Sequence, residues 1–187
     1  NYYRYGGSIP ILSKPIIPFA EGRVVGGGSV INGALLWRTP TKILLEWYKN
    51  KSISDELYDM FNEIFVEIES ELNVGTYNYI DNLDSKLIVS AARELGWKCV
   101  KVPRAVNNCI NHNRCAFVCK SGAKQSLDNV YIKNALKNGL NLMSDTKVIK
   151  LNLKDGNCNS IIIKDKNGNK RKIKTDLVII SCGPIQT

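Results

Sequence analysis

Residues 22–38 read GRVVGGGSVINGALLWR, and the fold is read outward from them. Gly22, Gly26, Gly27, Gly28 and Gly33 interrupt short apolar runs, with Ser29 and Asn32 as polar members. Glycine lets backbone approach a ligand closely and takes positive φ without a Cβ clash. Consecutive backbone N–H groups leading into a helix start make an anion cradle. These residues therefore predict a backbone site for a phosphorylated ligand. A glycine-rich loop with no ligand is the plainer alternative, and composition does not separate the two.

The spacing matches neither common nucleotide fingerprint. A G-x-G-x-x-G turn follows a strand and is trailed by an acidic residue for the ribose. Here only Val24 and Val25 are strand-like before the glycines. A Walker loop needs Gly-Lys-Ser/Thr after its glycines, and this is absent.

Four blocks together resemble the glucose-methanol-choline (GMC) oxidoreductases. Gly22, Arg23, Val25, Gly26, Gly27, Gly28, Ser29, Ile31, Asn32 and Gly33 follow the order of that family's first signature. Arg38-Thr39-Pro40 with Glu46-Trp47 is similar to its long-chain alcohol oxidase and sugar dehydrogenase branches. Residues 115–126, CAFVCKSGAKQS, resemble their cysteine and Gly-Ala-Lys segment, and residues 177–187, LVIISCGPIQT, the strand and turn closing the flavin domain. Cys182 and Pro184 depart from the Ala-Gly-Ala usual at that turn.

The resemblance implies FAD as cofactor and oxidation of a CH–OH group on an alcohol or sugar. It implies that backbone N–H groups at Gly27, Gly28 and Ser29, next to Gly26, meet the FAD pyrophosphate and ribityl chain. Arg23 would balance phosphate charge, and Asn32, Gly33 and Ala34 would lie by the isoalloxazine edge. Leu35 and Leu36 would continue along the flavin, and the Val148 backbone would bond adenine. The first nucleotide-binding strand and the catalytic histidine of a complete member are not matched by any part of this sequence. The chain is thus expected to be an internal fragment, inactive alone and poor at holding FAD. Its partners would be a small alcohol or sugar and the missing N- and C-terminal parts, in the same enzyme or in separate subunits. No catalytic residue is assigned, since the sequence holds one histidine, His112.

Composition narrows the class. A chain of 187 residues, 44% hydrophobic, can bury a core. No apolar run reaches the ~18 residues of a membrane span, and no leader pattern opens the chain. A cytoplasmic protein is expected, with peripheral membrane association compatible. Formal net charge is +9, but it is segregated. Acidic residues gather in 54–71 and lysines in 120–174. No nucleic-acid motif or interleaved aromatic accompanies the lysines, so a solvated surface is expected and no nucleic-acid partner.

Periodicity predicts a single α/β domain over 1–187, a partial FAD-binding domain that is Rossmann-like and three-layered. Residues 1–40 form an extended segment and the glycine loop, 41–139 a helical region with a cysteine loop, and 140–187 a β-meander with a closing strand. Pro10, Pro15 and Pro18 keep 8–20 extended. Helices are predicted over 41–49, with Thr39 as cap, over 54–72, over 84–95, capped by Asp84, and over 123–138. The apolar stripe of 84–95 reads as core. Strands are predicted over 140–142, 147–153, 160–164 and 170–174, with hairpin turns at Asp155-Gly156 and Asn167-Gly168. The apolar run 177–181 suits a buried parallel strand.

Cys109, Cys115 and Cys119 form C-x5-C-x3-C. Three soft ligands this close could hold an iron–sulfur cluster, as the resemblance to some sugar dehydrogenases implies, or zinc with His112 or Cys99 as the fourth ligand. That leaves an electron-transfer module as the alternative function. Free or paired thiols in a structural loop are the plainer reading.

Overall fold

Proline placement decides the first element. Pro10 and Pro18 lie opposite each other in an antiparallel ribbon of β1 (Ile9–Ile11) and β2 (Ile17–Phe19), closed through a cis Lys14–Pro15 bond. The computed structural model describes residues 2–76, 83–183, 185 and 186. Its contacts divide the chain into two compact units, Asn1–Leu140 and Asn141–Thr187.

In the first unit the glycine run ends in a single helical turn, α1 (Gly28–Ile31). The next helix, α2, spans Thr41–Lys49. Its N-cap position is Pro40, with no side-chain cap. Thr39 does not cap it as expected, because Pro40 already fixes the entering φ. Ser54 caps α3 (Asp55–Glu71), its hydroxyl accepting from the Leu57 N–H. Short β3 (Val74–Gly75) follows, then α4 (Leu83–Glu94). Asp84 lies inside that first turn rather than capping it, and Gly96 at φ 68° ends the helix region.

The expectation that the α4 stripe is core is not met. Leu87, Ile88 and Leu95 are exposed, and Ala92 alone of the helix is buried. A stripe shows which face of a helix excludes water, but it does not supply a partner. Among the described residues none covers this face.

The centre of the unit is the short β4 (Arg104–Ala105), which pairs antiparallel with β3. On its other side Leu35 bridges Arg104, and Val106 bridges Lys124. Val30, Ala34, Ala105, Val106 and Ala123 form the buried cluster there. The helix expected from 123 therefore starts later. Residues 123–126 run extended against β4, with Gln125 N–H donating to Ala105 O at 3.0 Å. A π-helical turn (Asp128–Ile132) then feeds α5 (Lys133–Lys137). The cross-strand bonds to 105–107 compete with helix for these residues and win.

The second unit is a meander of β5 (Lys147–Lys154), β6 (Asn157–Lys164) and β7 (Lys170–Lys174), in that order. Asp155 at φ 52° and Gly156 at φ 79° make the tight first turn, the geometry that suits the right-handed twist of a hairpin. Ser160 and Ile163 are its buried residues.

Two expected strands are absent. Residues 140–142 are irregular, and so are 177–181, where Leu177 and Ile179 are 75% and 80% exposed. A parallel strand exists through its neighbours, and no strand pairs with 177–181 among the described residues. Every described pairing is antiparallel. The mixture of helices and antiparallel strands agrees with an α/β fragment. Pro184 of the closing turn lies outside the described residues.

Candidate functional site

The glycine run is held from behind and open in front. A Cβ on Gly22 would sit 2.6 Å from the Gly27 carbonyl oxygen. One on Gly26, at φ 92°, would meet Val30 Cγ2 at 2.7 Å and Asp128 Cβ at 2.9 Å. These two glycines exist for close packing. Gly27 and Gly28 instead face open space, with nothing within 4 Å of an added Cβ. Gly27, at φ 56° and ψ −137°, has a conformation favoured by glycine.

Hydrogen bonds divide the expected cradle. The Gly27 N–H donates to the Val24 carbonyl at 2.9 Å. Gly28 and Ser29 start the helical turn, so their N–H groups have no carbonyl one turn back within it. The Ser29 hydroxyl donates to Gly26 O at 2.6 Å and accepts from the Leu127 N–H at 2.9 Å. Arg23 is exposed, and its backbone N–H donates to Tyr2 O.

Past the turn, Asn32 is exposed and its Oδ1 accepts from the Ala34 N–H at 3.0 Å. Gly33 O accepts from the Arg104 guanidinium at 3.1 Å. Ala34 is buried at φ 60°, and its carbonyl accepts from the Ala105 N–H at 2.9 Å. Leu35 and Trp37 are more than half exposed. Open backbone, an outward amide and exposed apolar side chains thus follow one another along the strip 28–37.

Lys124 fixes this strip. Its side chain is buried, and Nζ donates to Val30 O at 2.6 Å, Asn32 O at 2.9 Å and Cys115 O at 3.0 Å. Three ammonium hydrogens meet three carbonyls, which is full satisfaction for a lysine. Burial holds its pKa below the usual lysine range, and Cys115, Cys119 and Asp128 pull it partly back. Neither Lys124 nor Arg104 is assigned a role by sequence reasoning. A lysine directly after the small residues Ser121, Gly122 and Ala123 in the quoted block 115–126 is the signal that could have found the first.

Cys109, Cys115 and Cys119 share a cavity of about 160 Å³ with His112, Arg114 and Val118. The thiols are committed elsewhere. Cys115 Sγ accepts from the Arg104 guanidinium at 2.8 Å, and Cys119 Sγ accepts from the Lys124 backbone N–H at 3.4 Å. Burial pushes the Cys119 thiol up. Hydrogen bonds from Ser121 and from the N–H groups of Lys124, Ala123 and Ser121 outweigh it and hold the thiol below the usual cysteine range. Among the described residues no group of three or more His, Cys, Asp or Glu side chains could hold a metal ion. The expected iron–sulfur or zinc site is therefore unsupported. Sequence spacing sets how near ligands can come, not whether they converge.

Val148 lies on β5, paired with Ile163, half exposed and beside an irregularity in register before Lys150. Since β5 is an edge strand, one side of its backbone is unpaired within that sheet.

The profile of GMC oxidoreductases matches residues 1–187. The chain belongs to the GMC oxidoreductase family. Among this GMC chain's relatives is an uncharacterized GMC-type oxidoreductase, y4nJ, of Sinorhizobium fredii. The two are 29% identical over 99% of the chain and 37% of y4nJ. A second, Rv0492c of Mycobacterium tuberculosis, is 24% identical over 99% of the chain and 30% of its own length. The long-chain-alcohol oxidase FAO1 of Arabidopsis thaliana is 24% identical over 90% of the chain and 24% of FAO1. The GMC chain thus spans about a third of the first two relatives and a quarter of the oxidase. Among the described residues no helix is long and apolar enough to cross a membrane.

Proposed function

We propose that this chain carries the flavin-facing part of the FAD site in an oxidoreductase that oxidises a CH–OH group, on a long-chain alcohol or a sugar. The observation that carries it is the strip 28–37, rigid behind and open in front. Gly28 and Ser29 offer backbone N–H groups, Asn32 offers an amide, and Leu35 offers exposed apolar surface. That order suits a ligand charged at one end and flat and apolar at the other. Arg23, exposed beside the glycines, would balance phosphate charge. Gly26 shapes the loop, and Gly33 and Ala34 hold the flavin edge of the strip through backbone bonds. The edge position of β5 supports backbone contact between Val148 and adenine.

Bound FAD supplies the acceptor for the two electrons leaving the alcohol carbon. This chain's residues bind and orient it. The proton acceptor, the first nucleotide-binding strand and the rest of a three-layered Rossmann-like sheet belong, in this proposal, to parts of the enzyme that the chain does not span. They would complete one FAD-binding domain with both units described here. The likeness to a relative named as a long-chain-alcohol oxidase favours the alcohol over the sugar. A cytoplasmic site of action follows the same proposal.

The test is expression from the whole reading frame that contains this chain. Stoichiometric FAD and alcohol-dependent bleaching of its absorbance are expected. The 187-residue chain alone is expected to hold far less flavin. A full-length product that neither contains nor binds FAD overturns the proposal.

A further inference from the structure

We propose that Lys124 is a positioning residue that turns the Asn32 amino group outward, so that Asn32 meets its ligand as a hydrogen-bond donor. This rests on reading the strip 28–37 as facing the flavin. An amide can donate or accept, and the family resemblance does not say which end is offered. The surroundings of Asn32 do. Its Oδ1 lies 3.0 Å from the Ala34 N–H and 3.5 Å from Lys124 Nζ. Both neighbours are donors and one is charged, so the oxygen must face them and Nδ2 must face away.

Lys124 also holds the backbone that sets this geometry. It grips Val30 O at 2.6 Å inside α1 and Asn32 O at 2.9 Å at the bend where α1 ends. The ammonium has no carboxylate within ion-pair distance among the described residues. Its hydrogens go to three carbonyls, and the Asn32 side-chain oxygen is a further neighbour of the charge at 3.5 Å. Such charge-assisted bonds are stronger than neutral ones. The group that Asn32 meets is then an acceptor: a carbonyl oxygen or an unprotonated ring nitrogen on the flavin edge.

Two measurements test this. The first follows amide hydrogen exchange at Ala34 in the protein from the whole reading frame, relative to the α3 amides of the same unit. Lys124→Met and Asn32→Ala are expected to speed Ala34 exchange at least tenfold. Asn32→Asp, which keeps an acceptor beside Lys124, should leave it within about threefold. The second is FAD affinity of the protein from the whole reading frame, at high ionic strength to screen added charge. Asn32→Asp and Asn32→Ala are both expected to weaken it tenfold or more. Unchanged Ala34 exchange in Lys124→Met overturns the positioning role. If that variant does not fold, Lys124→Gln takes its place, with the same expected and overturning results. Tight binding by Asn32→Asp with loss in Asn32→Ala overturns the donor role. Absence of FAD binding by the unmodified protein overturns the flavin reading and the ligand half of this inference with it, while the Ala34 arm still decides whether Asn32 is held.

Discussion

Lys124 Nζ donates to the Val30 carbonyl at 2.6 Å across 94 positions of sequence. This bond joins the end of the glycine run to the block 115–126. A buried ammonium satisfied by backbone carbonyls is costly to remove, because the carbonyls lose their donors as well. Lys124→Met is expected to destabilise the first unit by about 3 kcal/mol, roughly 1 kcal/mol for each acceptor left unpaired. Urea unfolding should show a lower midpoint for the α3 signal, while amides of the β5–β7 meander keep their protection.

Glycine positions with different surroundings should separate folding from binding. Gly26→Ala places a methyl against Val30 and Asp128 at positive φ, an expected loss of about 2–4 kcal/mol. Gly28→Ala meets nothing and should leave stability within about 0.5 kcal/mol. It should nevertheless weaken FAD binding in the full-length enzyme, because the methyl occupies the open face. Thermal unfolding and flavin titration of both variants check this; equal FAD affinity in Gly28→Ala would remove that face from the site.

The Cys119 thiol should react with iodoacetamide before the other cysteines of its loop. Hydrogen bonds hold its pKa below the usual range, so thiolate forms at lower pH than in an unfolded chain. The sign for stability follows. The contribution is fully present above the unfolded thiol pKa and fades as pH falls through the lower folded value. Peptide mapping after alkylation across a pH series measures this. Ser121→Ala, which deletes one of the bonds to Cys119 Sγ, should move the profile to higher pH.

Arg38 reaches Glu69 on α3 through two bonds, 2.7 and 2.6 Å long. The guanidinium holds the Glu69 carboxyl below its usual range. This stabilisation is present above the unfolded glutamate pKa and is lost as pH falls through the lower folded value. The pair is exposed to solvent, so the effect is small and screened by salt. Glu69→Gln should therefore flatten the acid limb of a stability profile recorded at low salt and change nothing at high salt.

Local chemistry was legible where it is self-contained. The prolines of 8–20, the Ser54 cap, the α3 periodicity and the Asp155-Gly156 turn each act within a few residues, and each forms as read. The order Gly22 to Gly33, with the three blocks that follow it, marks the family, whose profile matches residues 1–187. Elements that depend on a distant partner were not legible. Residues 123–126 have helical composition, yet β4 captures their backbone. Residues 177–181 and the α4 stripe are apolar, yet no described neighbour covers them.

The same division runs through the site. Sequence alone determined the candidate residues of the strip, because glycine permits close approach and an amide supplies polar contact wherever the chain places them. Tertiary structure decided what each still has to offer. Val24 takes the Gly27 N–H, Ala34 takes the Asn32 oxygen, and Lys124 binds three carbonyls at once. A hydrogen-bonding group is available to a ligand only if the fold has not already used it, and its partners in this strip lie up to 98 residues away.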